Sequence, residues 1–158
     1  MDDTKKRDLL FFFPSFIAWL FAFLIPSFWN LQTPIYTLKN PTDIAGTTLF
    51  IAGLLIRVIA QATLKRNYSG TLRIREGHTL ITHGIYSHVR HPVYTGVLLS
   101  ALAIPIYTTS LPGLLIALTG ISLFNHRIRN EEKMLIQQYG NQYTEYIKTT
   151  PKLIPRLH

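Results

Sequence analysis

The sequence predicts an all-α fold, a polytopic membrane helical bundle with about four transmembrane helices. Hydrophobic residues make up 47% of the 158 residues and charged residues only 15%, which is a rich apolar content for a chain the size of one domain. The apolar residues come in long blocks, and most basic residues flank these blocks. We therefore expect a single integral-membrane domain over residues 1–158.

The predicted spans differ in length. Residues 9–29 hold 21 residues without a charge, enough for a helix of about 30 Å that crosses a bilayer core. This block is too long for the apolar part of a signal peptide. The other predicted spans are residues 44–64, 93–107 and 111–124. The last two are short for a full crossing, so we expect a tight helical hairpin divided at residues 108–110.

Basic residues predict the orientation of these spans. Apart from Lys39 and Arg57, they occur at residues 5–7, within residues 65–90 and after residue 124, and basic flanks favour the cytoplasmic side. We therefore predict a multi-pass protein with both termini cytoplasmic and a cytosolic face formed by residues 65–92 and 125–158. The second of these segments begins as an amphipathic helix that Gly140 interrupts or ends.

Arg57 is the exception within the second span. An arginine at the centre of a transmembrane helix costs at least about 2.5 kcal/mol, so its presence needs an explanation. Arg57 lies seven residues before Leu64, and its side chain could extend to the membrane surface. A functional contact with an anion is the alternative, and the sequence leaves both open.

Composition excludes several classes of site. The chain has no cysteine, which rules out disulfides, thiolate metal sites and a cysteine nucleophile. No cluster of His, Asp and Glu has the spacing of metal ligands, so we expect no metal. The formal net charge of +8 could suggest a nucleic acid partner, but the basic residues form no single stripe. Anionic membrane lipids are the predicted partners.

Residues 84–96 crowd polar groups between two apolar runs. Arg90 can bind a carboxylate through two hydrogen bonds, and His91 can donate or accept near neutral pH. Pro92 disfavours helical geometry at His91 and suits the first position of a helix, so this pair predicts a loop that leads into a helix start. A juxtamembrane turn among lipid headgroups is the plain alternative.

Two ordered motifs resemble a known family. Residues 78–82 read His-Thr-Leu-Ile-Thr, residues 84–86 Gly-Ile-Tyr, and Arg90-His91-Pro92-x-Tyr94-x-Gly96 follows. The second motif comprises Arg127, the doublet Glu131-Glu132, Leu135, the run Tyr139-Gly140-x-x-Tyr143-x-x-Tyr146 and residues 153–155. Together they resemble the isoprenylcysteine carboxyl methyltransferase family and its phospholipid methyltransferase relatives. That resemblance implies an integral-membrane enzyme that uses S-adenosyl-L-methionine as its cofactor and a lipid-like small molecule as methyl acceptor.

The resemblance also implies site residues. The catalytic residue that contacts the acceptor would be Arg127. Glu131 would bind the cofactor, although the doublet leaves Glu132 as the alternative, and Arg90 would brace the loop. Residues 153–155 could fold back as a lid. The remaining cofactor-binding residues would be His78, Thr79, Leu80, Ile81, Tyr86, His91, Pro92, Val93 and Tyr94.

Several functions and arrangements stay open at the level of sequence. A carboxylate acceptor could be held by Arg127 without a base, whereas an amine would need a proton acceptor such as His91 or Glu131. A membrane reductase that uses NADPH and a non-enzymatic membrane scaffold are the alternatives to a methyltransferase. Larger members of the family that this sequence resembles have further spans, so we expect either a wider opening on the lipid side or a homodimer that closes it.

Overall fold

The computed structural model describes residues 38–64 and 79–155. In these ranges every regular element is helical: α1 (Pro41–Leu64), a 3-10 helix (Gly84–Ser87), α2 (Pro92–Tyr107), α3 (Leu111–Tyr139) and α4 (Asn141–Thr149). The all-α prediction is therefore confirmed for the described part of the chain. The predicted span at residues 9–29 and the segment 65–78, which includes His78, lie outside the described residues. The count of four spans stays a prediction.

Helices α1 and α3 are long and apolar enough to cross a membrane, whereas α2 is a shorter apolar helix of 16 residues. Large apolar side chains are exposed along α1 and α3, as on a surface that faces lipid rather than water. This pattern fits a membrane protein. The exposed side chains include Phe50, Ile51, Leu54, Leu55 and Val58 on α1 and Leu111, Leu115, Leu118 and Leu123 on α3.

Helices α1 and α2 run antiparallel and approach closely at glycines. A Cβ placed on Gly53 would lie 2.6 Å from the carbonyl oxygen of Gly96, and a Cβ placed on Gly96 would lie 2.5 Å from that of Gly53. Only glycine permits two helix backbones to come this close. Arg57 lies against Gly96 in the same contact, and it is exposed, so both explanations of Arg57 remain open.

The predicted helix start and hairpin are present in the structure. Helix α2 begins at Pro92, directly after His91, which has a non-helical backbone. Residues 108–110 connect α2 to α3. The Ser110 hydroxyl accepts a hydrogen bond from the Gly113 N–H at 3.1 Å, which caps the first turn of α3. The hairpin brings the start of α2 beside the second half of α3.

Helix α3 continues through the boundary that the residue pattern suggests. The apolar run ends at Phe124, and polar and charged residues follow from Asn125 onward. The helix nevertheless extends to Tyr139. The sequence has no Gly or Pro between residues 121 and 139, so nothing interrupts the backbone hydrogen bonds there. The change of pattern therefore marks a change of surroundings rather than the end of a helix.

The chain reverses after α3 and returns to the loop before α2. Gly140, with a φ of 53°, separates α3 from α4 as the sequence predicts. After α4, residues 150–155 form an irregular C-terminal segment that pairs with the start of α2. The Arg90 N–H donates to the carbonyl of Pro151 at 2.9 Å and the His91 N–H to that of Lys152 at 3.1 Å. The Thr95 hydroxyl donates to the Leu153 carbonyl at 2.8 Å.

Candidate active site

The loop of residues 84–91 is anchored on two sides by Tyr86. This side chain is buried, and its hydroxyl donates to the carbonyl of Ala60 in α1 at 3.5 Å. The carbonyl of Tyr86 accepts a hydrogen bond of 2.5 Å from the hydroxyl of Tyr146 in α4. The loop is thus held between α1 and α4, and Arg90 and His91 start from a fixed backbone.

Glu132 is the centre of a cluster of basic side chains. Its Oε1 accepts hydrogen bonds from Nε of Arg90 at 2.9 Å and Nη2 of Arg90 at 2.8 Å. The Nε2 of His91 lies 3.2 Å from the same oxygen, and the Nζ of Lys152 lies 3.6 Å from Oε2. Burial raises the pKa of Glu132, but the hydrogen bonds from His91 and Arg90 outweigh burial and lower it to about 2. Glu132 is therefore a carboxylate whose charge is already balanced within the fold.

Arg90 joins the loop to the C-terminal segment as well as to α3. Its Nη1 donates to the carbonyl of Ile147 at 3.2 Å and to the carbonyl of Thr150. The side chain is nearly buried, with a relative exposure of 7%. Three separate parts of the chain meet at this guanidinium, which agrees with the bracing role that the resemblance implies.

Arg127, Tyr94 and Glu131 form a second polar group on the adjacent face of α3. The Nε of Arg127 donates to the Tyr94 hydroxyl at 2.9 Å, and this hydroxyl donates to Oε2 of Glu131 at 2.8 Å. Arg127 is only 5% exposed. Residues four apart on a helix share a face, and here the phenol from α2 lies between the two charges. The phenol fixes the position of both side chains.

The structure brings most of the predicted site residues into one region. His91, Pro92 and Val93 lie at the start of α2, next to Tyr94. The rings of His91 and Tyr94 are 5.8 Å apart. Thr79, Leu80 and Ile81 form the irregular lead into the 3-10 helix. His78 falls outside the described residues, so its predicted contact with the cofactor stays a prediction.

The contributions of Thr150 and Lys152 are not predictable from the motifs. A lysine in a basic tail gives no indication that it faces Glu132, and a threonine carbonyl has no side-chain signature at all. The sequence leaves Tyr143 as either an anchor at the membrane surface or a packing residue, and the structure shows that it packs in the core. It is 1% exposed, and its ring lies 5.8 Å from that of Tyr146. The i, i+3 spacing of two tyrosines in a short amphipathic helix is the one signal of this burial.

A model of the isoprenylcysteine carboxyl methyltransferase family matches residues 46–137. The chain belongs to this family. The matched range includes most of α1, all of α2 and the residues Arg90, Tyr94 and Arg127 with the doublet Glu131-Glu132. It therefore covers most of the described fold, beyond the two sequence motifs alone.

Relatives within the family are similar over most of this chain. Protein-S-isoprenylcysteine O-methyltransferase B of Arabidopsis thaliana is 33% identical over 113 residues, which is 70% of this chain and 57% of that protein. Protein-S-isoprenylcysteine O-methyltransferase of Xenopus laevis is 32% identical over 133 residues, which is 80% of this chain and 46% of that protein. The chain thus spans about half the length of these relatives.

A solved structure shares the fold. It is that of a eukaryotic intramembrane Ras methyltransferase, isoprenylcysteine carboxyl methyltransferase, and it matches with a TM-score of 0.75 at 24% identity. The match covers 91% of this chain and 52% of that structure. The helical arrangement described above is therefore that of an isoprenylcysteine carboxyl methyltransferase family member.

Proposed function

We propose that this protein is a membrane methyltransferase that transfers the methyl group of S-adenosyl-L-methionine to a carboxylate on a lipid-like acceptor. The observation that carries the proposal is the partly buried group of Arg127, Tyr94 and Glu131, which places a cation and an anion on either side of one hydroxyl. Family membership supports the same reaction class. Neither NADPH reduction nor a scaffold role has comparable support.

The donor set fits the cofactor. S-adenosyl-L-methionine carries an ammonium and a sulfonium. When bound it would supply a methyl carbon that a nucleophile attacks in line with the C–S bond, and S-adenosylhomocysteine would leave as a neutral thioether. A carboxylate is the suitable partner for such cations. Because Glu132 is already balanced by Arg90 and His91, Glu131 is the member of the doublet that we assign to the cofactor. Within residues 38–64 and 79–155, Glu131 forms no ion pair.

Arg127 is assigned to the acceptor. A guanidinium can hold a carboxylate through two parallel hydrogen bonds, which fixes the oxygen that attacks. A carboxylate needs no base, so the protein's contribution is alignment and the exclusion of water. Tyr94 orients the Nε side of Arg127, and burial strengthens the attraction between the guanidinium and an anion.

The proposed setting is a bilayer with the site at its cytosolic surface. The apolar faces of α1 and α3 would contact lipid, and the charged half of α3 would project into the cytosol with residues 79–91 and α4. The four spans, the cytoplasmic termini and the enclosure of the cofactor by the C-terminal helix belong to this proposal. A homodimer is a further part of it.

The proposal is tested with purified protein in detergent. We expect micromolar binding of S-adenosylhomocysteine by calorimetry, and methylation of an S-prenylated cysteine that has a free α-carboxylate. The same compound as its methyl ester is the matched control and should not react. Glu131→Gln should weaken nucleoside binding by about tenfold or more, the value of one charge-assisted hydrogen bond.

Other outcomes would select another function. Preferential binding of NADPH would indicate a reductase, and binding of neither cofactor would indicate a scaffold. Methylation of a lipid amine instead of the carboxylate would retain the enzyme class and overturn the assignment of the acceptor.

A further inference from the structure

The hydroxyl of Tyr143 is a buried polar group that the fold leaves unsatisfied. The side chain is 1% exposed, and its hydroxyl has no hydrogen-bonding partner within the part of the chain that the structure describes. Buried hydroxyl groups are nearly always paired, and leaving one unpaired costs free energy. Phenylalanine would fill the same space without that cost. A tyrosine here therefore requires a partner from outside these residues.

The position of Tyr143 connects it to the candidate active site. It lies in the first turn of α4, directly after the reversal at Gly140. Burial raises the pKa of its hydroxyl, the charge of Glu132 raises it further, Arg90 opposes, and Glu131 adds to the rise. The charged groups around Tyr143 are thus those of the site, and the phenol keeps its proton as a hydrogen-bond donor throughout the physiological pH range.

Its neighbour Tyr146 shows the contrast. Tyr146 is buried beside it, with the two rings 5.8 Å apart, but the Tyr146 hydroxyl donates to the carbonyl of Tyr86. Of these two buried tyrosines in one helix, one hydroxyl therefore stabilises the fold, and the other has no acceptor among the described residues. This difference between neighbours supplies a matched control.

We propose that Tyr143 is a further ligand-contacting residue, whose hydroxyl donates a hydrogen bond to an oxygen atom of the bound nucleoside cofactor. This inference rests on the proposed function. It adds α4 to the elements that contact the cofactor, and it gives the Tyr143 hydroxyl a role that ring packing does not account for. A buried water in place of the cofactor is the competing partner.

The test is the pair of variants Tyr143→Phe and Tyr146→Phe, each measured for thermal unfolding without ligand and for affinity toward S-adenosylhomocysteine. We expect Tyr143→Phe to keep or raise the melting temperature and to weaken nucleoside binding by about five- to tenfold, the value of one lost hydrogen bond. The stabilisation by saturating nucleoside should shrink accordingly. Tyr146→Phe should lower the melting temperature of the free protein.

Two results would overturn the inference. Unchanged nucleoside affinity in Tyr143→Phe would show that the hydroxyl does not touch the cofactor. A fall in melting temperature equal to that of Tyr146→Phe, with affinity unchanged, would assign the hydroxyl to a structural water. Failure of the unmodified protein to bind S-adenosylhomocysteine would instead contradict the proposed function itself, so the two failures are distinguishable.

A second measurement covers the case in which Tyr143→Phe does not fold. Replacing Tyr143 with 3-fluorotyrosine keeps the hydroxyl and makes it a stronger donor. We expect tighter binding of S-adenosylhomocysteine, seen as a lower Kd. Identical affinity in the fluorinated and unmodified proteins would contradict the proposed hydrogen bond.

Discussion

Arg90 donates two hydrogen bonds to a single oxygen of Glu132, from Nε at 2.9 Å and from Nη2 at 2.8 Å. The two residues belong to different elements, the loop before α2 and the charged half of α3. This contact fixes the distance between the loop of residues 84–91 and the helix that carries Glu131. It is therefore a structural contact on which the geometry of the candidate site depends.

Replacing Arg90 should lower the stability of the fold. In Arg90→Lys the charge remains, but one ammonium cannot reach Glu132 and the carbonyls of Ile147 and Thr150 together. We expect the free energy of unfolding to fall by about 2–3 kcal/mol, since several charge-assisted bonds are lost. Thermal unfolding in detergent measures this. Arg129→Lys, at an exposed position of α3, is the control, and equal effects of both variants would contradict the bracing role.

Glu132 should make stability depend on pH in the acid range. Its pKa in the fold is about 2, below the ordinary value of 4.5, so between these values the unfolded chain binds a proton that the folded protein does not. Stability from this group is complete above pH 4.5 and is lost as the pH falls toward 2. Unfolding measured over this range should show a smaller pH dependence in Glu132→Gln. The same slope in both proteins would exclude Glu132 as the cause.

Arg127→Lys should reduce turnover of the acceptor and leave the affinity for the cofactor nearly unchanged. The lysine keeps the charge but cannot hold a carboxylate through two parallel bonds while its stem is oriented by Tyr94. We expect kcat/KM for the acceptor to fall by about 100-fold, the effect of a misplaced reacting group. The Kd for S-adenosylhomocysteine should stay within about threefold, below the value of one hydrogen bond. A parallel loss of nucleoside affinity would place Arg127 in the cofactor site instead.

Gly96→Ala should separate α1 from α2. The added Cβ would meet the carbonyl oxygen of Gly53 at 2.5 Å, and relieving such an overlap costs about 1–3 kcal/mol. Gly120→Ala is the control, because a Cβ at Gly120 meets nothing within 4 Å. In a helix this second change should stabilise by up to about 1 kcal/mol. Melting temperatures that move in the same direction would contradict the close packing of the two helices.

Local signals were sufficient to predict much of the fold. Apolar runs predict the helices, Pro92 predicts the start of α2, and Gly140 predicts the end of α3. Each of these depends on the residue itself or on its immediate neighbours. The continuity of α3 past Asn125 was harder to infer, because a change from apolar to charged residues indicates a change of surroundings and carries no information about the backbone.

The sequence motifs predicted which residues belong to the candidate site, but they did not predict which of these residues contact each other. The motif containing Arg90, His91 and Tyr94 lies about 40 residues before the acidic doublet, and nothing in either motif tells which carboxylate each group meets. Only the packing of α2 against α3 assigns Glu132 to Arg90 and Glu131 to Tyr94. The functional roles of these residues remain predictions, as does the contact expected of His78.

The unbroken course of α3 has a mechanical consequence. At 1.5 Å per residue, its 29 residues span about 43 Å, and Arg127 and Glu131 lie about one to two turns beyond Phe124, where the apolar run of the same helix ends. In the proposed membrane setting, the depth of residues 111–124 in the bilayer would set the height of these two side chains, because no break in the helix lies in between. Bilayer thickness would then determine where Arg127 and Glu131 stand relative to the membrane surface.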